Sequence, residues 1–308
     1  MAHNIKSIRE QFKANGVFYS DQRMAELLKS LVPSDVTEVY DPTCGDGGLL
    51  SVFSDDVKKY GQELDPTQVD VARERLVNAE IVSGDTLKSP AFIEKRFKAI
   101  VANPPFSIKW TPPDEPEDTP IFQGVPCLPP PAKADYAFLL HILHCLAGDG
   151  TAAVVNFPGV CYRGLREGKL RRWMIERNYV DQVILMEGGY FVDTKIATVI
   201  LVLKKNREST SIIFQDHLLG VEREVPIAEI IENDYTLNVS TYVQPPEQEK
   251  AAVDVVALEQ RARAHALKQV RNEIKFSLMV AKMEGWSVEP FLNQLHDLVN
   301  EFREHKEI

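Results

Sequence analysis

The residues Asn103-Pro104-Pro105-Phe106 close an apolar run and carry an unusual set of groups. Asn103 offers a side-chain carbonyl. Pro104 offers a backbone carbonyl and no N–H, and the two prolines fix the backbone so that both oxygens can aim at one point. Such a pair can hold both hydrogens of a planar amino group. The nitrogen of that group is a poor nucleophile, because its lone pair is conjugated into a ring. Two accepted hydrogens favour a pyramidal nitrogen and free the pair for attack. Phe106 can stack on the ring face. The site needs no charged base, since the proton can leave after the new N–C bond has formed. Read for structure alone, the same residues are a strand stopped by a proline turn.

A second set lies upstream. In "YDPTCGDGGLL" (40–50), Gly45, Gly47 and Gly48 allow a tight strand-to-helix turn and close backbone approach. In an open parallel sheet such a turn sits where strand order reverses, which is where ligands bind. Glu63 ends the next β-rich run, where a carboxylate can accept both hydroxyls of a ribose. Asp85 follows the third run and can accept from an adenine amino group. Each acid alone reads more often as a solvated loop residue; in this order at three strand ends they read as a nucleoside site. No G-x-x-x-x-G-K-[ST] loop is present, and no Lys or Arg sits in the turn to meet a phosphate. The expected ligand is therefore a nucleoside with an amino-acid tail. The turn is not G-x-G-x-x-G either, which argues against a dehydrogenase.

These residues need a scaffold that brings four strand ends together. The chain alternates short apolar runs with helical patterns: strands are expected at 37–41, 58–64, 79–85, 98–103, 151–157, 180–186 and 196–205, with a largely apolar helix at 136–146. Continuous apolar strands separated by helices imply an α/β fold, a parallel sheet covered on both faces. The link between the sixth and seventh runs is too short for a helical crossover, so that pair is expected to be antiparallel. Ahead of the sheet, residues 1–34 read as helical, with a break at Phe18 and Tyr19 and with Asp21 placed to cap a helix through Met24, Leu27, Leu28 and Leu31. The sheet domain spans 35–243. Residues 110–134 hold eight prolines and four acids, and the segment reads as a loop that orders only when a target arrives. A helical tail, 244–308, carries a narrow apolar stripe through Leu267, Val270, Ile274, Leu278 and Ala281 and a second through Phe291, Leu295, Leu298 and Phe302. It reads as a helical hairpin that either packs back on the sheet domain or docks a partner helix.

The 308 residues are 44% apolar and 26% charged, ordinary values for a globular chain, and no stretch approaches a membrane span, so the expected location is the cytoplasm. Four scattered cysteines without a C-x-x-C pair argue against a disulfide framework and against a zinc site, and no other metal site is expected. The net charge of −10 opposes tight non-specific nucleic-acid binding. A local basic run, 163–177, either tracks phosphates or is a solvated helix face.

"DPTCGDGG" followed by "NPPF" resembles the S-adenosylmethionine-dependent DNA methyltransferases that act on the N6 amino group of adenine, and most of all the modification subunits of type I restriction systems. "GVFYSD" (16–21), "ADYAFLLHIL" (134–143), "GTAAVVNFPGVCYRG" (150–164), "KLRRWMIERNYVDQVI" (169–184) and "FVDTKIATVILVLKK" (191–205) are similar to further blocks of that family, so the likeness covers roughly residues 16–205. Two details depart from it: "YSD" stands where the family usually ends that block in Thr-Pro, and Lys195 where it tends to have glycine. The resemblance implies a seven-stranded, Rossmann-like class I methyltransferase sheet with an antiparallel seventh strand. It implies S-adenosylmethionine as cofactor, held by Asp41, Thr43, Gly45, Gly47, Glu63, Asp85 and Thr86, with Tyr19 closing over it. Asn103, Pro104, Pro105 and Phe106 would be the catalytic residues. Phe191 would help enclose the target base, and Arg163 and Arg166 of the basic run would contact the DNA. Implied partners are DNA and, through the C-terminal helices, a specificity and a restriction subunit. Alternatives from the residues alone are methylation of an RNA guanine or a protein glutamine, which the same two acceptors serve, or a cofactor-binding scaffold that works through partners.

Overall fold

The computed structural model describes residues 22–186, 197–244 and 255–304, in two units that divide at Pro245. Tyr19, Asp21, Phe191 and Lys195 lie outside the described residues. In the first unit the strands are β1 (Glu38–Asp41), β2 (Lys58–Glu63), β3 (Ala79–Ser83), β4 (Phe97–Ala102), β5 (Leu146–Asn156), β6 (Val180–Met186), β7 (Thr198–Lys204), β8 (Ser211–Asp216) and β9 (Val221–Pro226). They form one sheet in the order β3-β2-β1-β4-β5-β7-β6-β8-β9. The first five pair in parallel, whereas β7 runs antiparallel to both β5 and β6.

The sheet thus has nine strands among the described residues, not seven. The sequence reading missed β8 and β9, which pair antiparallel around a turn at 217–220. Both are only half apolar: Ile212 and Phe214 are buried on one side, and Val225 is the one buried side chain of β9. Alternation of that kind gives a weaker signal than the continuous runs of the central strands. Thr210 and Gly220 flanking "SIIFQD" and "VEREV" were the available hint.

Alternation along the central strands divides the core into two layers. Tyr40, Ile100, Ala102 and Val154 face one side, where α3 (Asp135–Cys145) supplies Leu139 and Leu143, and α4 (Leu165–Glu176) supplies Leu170 and Met174. Val39, Ala99, Val101 and Val155 face the other, where α1 (Gln22–Ser30) brings Met24 and Leu28 and α2 (Pro66–Arg75) brings Val69 and Ala72. Covering both faces is what allows strands with no polar side to exist. Asp65 starts α2 by accepting the Thr67 N–H at 2.8 Å, with Pro66 at the first helical position. Two short helices, α5 (Ile227–Glu232) and α6 (Val239–Tyr242), complete the unit.

The proline-rich segment differs from its expectation. It is folded into the core side rather than waiting for a target. Ile121 and Phe122 are buried, and Trp110 lies 5.7 Å from the Phe122 ring. Its two ends hydrogen-bond each other, Trp110 N–H to the Pro131 carbonyl at 3.0 Å and Ala134 N–H to the Ile108 carbonyl at 2.8 Å. Prolines prevent a ladder, but three large apolar side chains suffice to anchor the loop, at roughly 1.5–3 kcal/mol for each fully buried one.

The second unit, Pro246–Ile308, carries α7 (Val255–Met283) and α8 (Glu289–Glu304), separated by a turn at Gly285 with φ +70°. Leu267, Val270, Phe276 and Met279 on α7 are exposed.

Candidate active site

A crevice of about 450 Å³ opens at the carboxyl ends of β1, β2, β3 and β4. Strand order reverses between β1 and β4, so this is the switch point of the sheet. Of the residues expected to hold a cofactor, Asp41, Thr43, Gly45, Glu63, Asp85 and Thr86 line it. Asn103 and Pro105 line the same crevice, Pro104 is buried beside them, and Phe106 is half-buried against the layer that contains α1. Gly47 does not line it. With φ +81°, a Cβ there would meet Leu76 Cδ1 at 2.7 Å, so its role is to turn the chain and admit the Leu76 side chain.

The turn is tied to β2 by its own backbone. Cys44 N–H donates to the Gln62 carbonyl at 3.0 Å, and Gly45 N–H to Glu63 Oε2 at 3.0 Å. Glu63 Oε1 accepts the Asp65 N–H at 2.9 Å. Each carboxylate oxygen keeps a lone pair for a hydroxyl, so Glu63 both shapes the turn and faces the crevice. Asp85 behaves alike, with Oδ1 accepting the Leu87 N–H at 2.9 Å, and the Thr86 hydroxyl ties that loop to the Pro42 carbonyl. Sequence reasoning took these acids as ligand contacts and missed their scaffolding bonds. It also missed Ile108, Lys109, Trp110 and Thr111, which line the crevice from the proline segment. The apolar-aromatic cluster directly after Phe106 was the signal.

Close packing beneath the turn puts glycine at position 61. A Cβ on Gly61 would lie 2.7 Å from Cys44 Sγ and 2.8 Å from Ile81 Cδ1. Gly61→Ala is expected to destabilise the protein by about 1–3 kcal/mol, the usual cost of overpacking, and to displace the turn. Chemical denaturation with and without cofactor would show both effects.

The electrostatics select against phosphate. Asp41, Asp46, Glu63, Asp65 and Asp85 line the crevice against Lys88 and Lys109. Asp41 is fully buried; Oδ1 accepts the Thr43 N–H at 2.9 Å, while Oδ2 has no hydrogen-bond partner among the described residues. Burial raises its pKa to about 7, opposed by the Thr43 N–H and assisted by the negative charge of Glu63. An unsatisfied buried carboxylate oxygen in an acid-lined crevice calls for a cation. S-adenosylmethionine, with its ammonium and sulfonium groups, fits this donor set.

A sequence model of the family described as N-6 DNA methylase matches residues 5–224. The chain belongs to the N-6 DNA methylase family. It is 35% identical over 232 residues to the methylase subunit of the type I restriction enzyme MpnII of Mycoplasma pneumoniae, an overlap of 66% of this chain and 42% of that protein. With the MjaVII methylase subunit of Methanocaldococcus jannaschii it shares 24% identity over 298 residues, 78% of this chain and 51% of that one. The chain thus spans about half the length of these relatives. Among solved structures, the type I restriction-modification methyltransferase subunit from Streptococcus thermophilus superposes with a TM-score of 0.68 at 29% identity, covering 74% of this chain and 59% of that one. The α/β methyltransferase fold follows, with its mostly parallel sheet and antiparallel portion.

Within this family member the basic run 163–177 is not a uniform phosphate track. Arg166 and Lys169 are exposed. Arg171 is buried and donates to the carbonyls of Tyr235 and Arg163 at 2.8 and 2.7 Å. Arg172 pairs with Glu176 at 2.7 Å. Arg163 is 16% exposed and lies between Asp135 and Glu167. The sequence showed the charges, not the carboxylates that the fold brings to them.

Proposed function

We propose that this chain transfers a methyl group from S-adenosylmethionine to the N6 amino group of adenine in DNA, as the modification subunit of a type I restriction system. One observation carries the reading: Asn103 and Pro105 share a crevice with Asp41, Glu63 and Asp85. When bound, S-adenosylmethionine supplies an electrophilic methyl carbon and a neutral thioether leaving group. The acids and the glycine turn would hold it beside the end of β4. There the Asn103 side-chain oxygen and the Pro104 carbonyl accept the two amino hydrogens of an extruded adenine. With both hydrogens held, the nitrogen lone pair would be free to take the methyl carbon as the thioether leaves. The methylated nitrogen then sheds a proton to water. Positioning is the main contribution, since nitrogen and carbon must meet at about 3 Å. Extruding the base costs a few kcal/mol, and stacking on Phe106 offsets part of it. Tyr19 closing over the cofactor, and Phe191 and Arg166 on the DNA, belong to the same proposal.

A sequence-reading partner and a restriction subunit are proposed to dock on the C-terminal helices, where Leu267 and Val270 of the apolar stripe are exposed. The cytoplasm is the proposed location; no helix among the described residues is long and apolar enough to cross a membrane.

Labelled cofactor incubated with unmethylated DNA, RNA or protein tests the reading. N6-methyladenine in DNA is expected, from the chain alone or with its partners. Label confined to RNA or protein, or absent even with partners, would sink it. In the same assay, deleting residues 247–308 should remove the stimulation by partners while leaving cofactor affinity within a factor of two.

A further inference from the structure

Resting on that reading, we infer that Asp135 and Arg163 are positioning residues, a buried clamp that fixes where the Asn-Pro-Pro-Phe segment points. Asp135, the first residue of α3, has a side chain only 1% exposed. Its Oδ1 accepts the Ser107 backbone N–H at 3.1 Å, and its Oδ2 lies 3.5 Å from Arg163 Nη1. Arg163 Nη1 also donates to Glu167 Oε1 at 3.1 Å, and Nη2 donates to the Ser107 hydroxyl at 3.1 Å. One guanidinium therefore joins the residue after Phe106 to the starts of α3 and α4.

The backbone that carries the guanidinium is itself held. Arg163 N–H donates to the Gly159 carbonyl at 3.0 Å, and its own carbonyl accepts from buried Arg171 at 2.7 Å. A Cβ on Gly159 would collide with the guanidinium, so the glycine leaves the space that Arg163 fills. Ser107 has φ +52°, a left-handed conformation that a non-glycine residue keeps only when its surroundings impose it. Here they do, since both its N–H and its hydroxyl are gripped.

The consequence is a strut with two fixed ends. Ala102, buried in β4 opposite Val154, fixes one end, and Ser107 in the clamp fixes the other. Between them Pro104 and Pro105 remove backbone freedom. Asn103 and the Pro104 carbonyl are thus aimed before any base arrives. Two carboxylates around Arg163 also outweigh its single positive charge, which disqualifies it as a phosphate contact. Buried ion pairs add little net stability but fix geometry where geometry matters.

The test uses the form of the enzyme, chain or complex, that methylates DNA. Arg163→Met and Asp135→Asn should each lower the single-turnover rate about 100-fold, the cost of a displacement near 1 Å. Cofactor Kd and DNA KM should change less than twofold, and the salt dependence of DNA binding should keep its slope. Ser107→Ala, at an exposed residue that tolerates truncation, should lower the rate about tenfold, and Arg163→Lys should restore part of it relative to Arg163→Met. A phosphate contact would behave oppositely: Arg163→Met would raise KM, leave the rate intact and reduce the salt slope by about one. That result, or folded Ser107→Ala and Arg163→Lys variants at the wild-type rate, overturns the clamp. If the wild type methylates no DNA, the functional reading fails on its own. Amide exchange then decides the clamp, which requires faster exchange at Ser107 and Ile108 in Arg163→Lys with the sheet unchanged.

Discussion

Replacing Asn103 with alanine should lower the rate of methyl transfer about 1000-fold while cofactor affinity stays within a factor of two. In the proposed reaction two acceptors hold one amino group, and alanine removes the side-chain oxygen while Pro104 keeps its carbonyl. With one hydrogen left ungripped, the nitrogen stays planar and its lone pair stays in the ring. The acceptor acts mainly on the reacting state, so its loss falls on the rate and not on binding. Removing one preorganised polar group of this kind typically costs about 10²–10³ in rate. The loss here is at the upper end because the same group also orients the base. The strut remains, since Ala102, Pro104 and Ser107 are untouched and their anchors lie elsewhere. Single-turnover transfer of labelled methyl groups and calorimetric titration of the cofactor separate the two effects. Normal turnover by Asn103→Ala would remove the assignment of this segment altogether.

What the sequence showed and what it hid follow one physical division. Local signals were legible. Continuous apolar runs marked β4, β5 and β7, and a short link marked β6 and β7 as antiparallel. The glycine turn, Glu63, Asp85 and Asn103 fell at strand ends, and the fold gathers them into one crevice. Long-range pairing was not legible. Nothing in "RGLREGKLRR" tells that Arg163 meets Asp135, 28 residues earlier, or that Arg171 reaches the carbonyl of Tyr235. A charge run looks solvated until the fold supplies its partners. The proline segment misled for a similar reason: prolines forbid regular structure, but Trp110, Ile121 and Phe122 need only a hydrophobic surface to fold against. Composition described the backbone of that loop and overlooked its anchors.

Asp41 gives the second large effect, a pH dependence of both stability and cofactor affinity. Its folded pKa is raised from 3.8 to about 7, first by burial. A raised carboxyl holds, in the folded protein, a proton that the unfolded chain has lost between about pH 4 and 7. The stability linked to that proton is fully present below about pH 4 and is lost as pH rises through 7, an amount on the order of 4 kcal/mol at 1.36 kcal/mol per pKa unit. The protein without cofactor should therefore weaken across that range, and Asp41→Asn, which cannot ionise, should flatten the slope. Cofactor binding reverses the preference. A cationic group at the open Oδ2 favours the ionised carboxylate, so binding expels the proton below about pH 7. Affinity should then rise with pH up to about 7 and level off above it. At pH 8.5 Asp41→Asn should weaken cofactor binding about 100-fold, the loss expected when one member of a buried charge pair is removed. At pH 5.5 the gap should shrink to about tenfold or less, because the wild type must first give up its proton. The ammonium of the cofactor titrates as well, and the asparagine variant carries that contribution alone, so the difference between the two profiles isolates Asp41. Calorimetry at both pH values, in buffers of different ionisation enthalpy, reads affinity and released protons together. Equal losses at pH 5.5 and 8.5, with no proton released by the wild type, would place the cationic end of the cofactor away from Asp41.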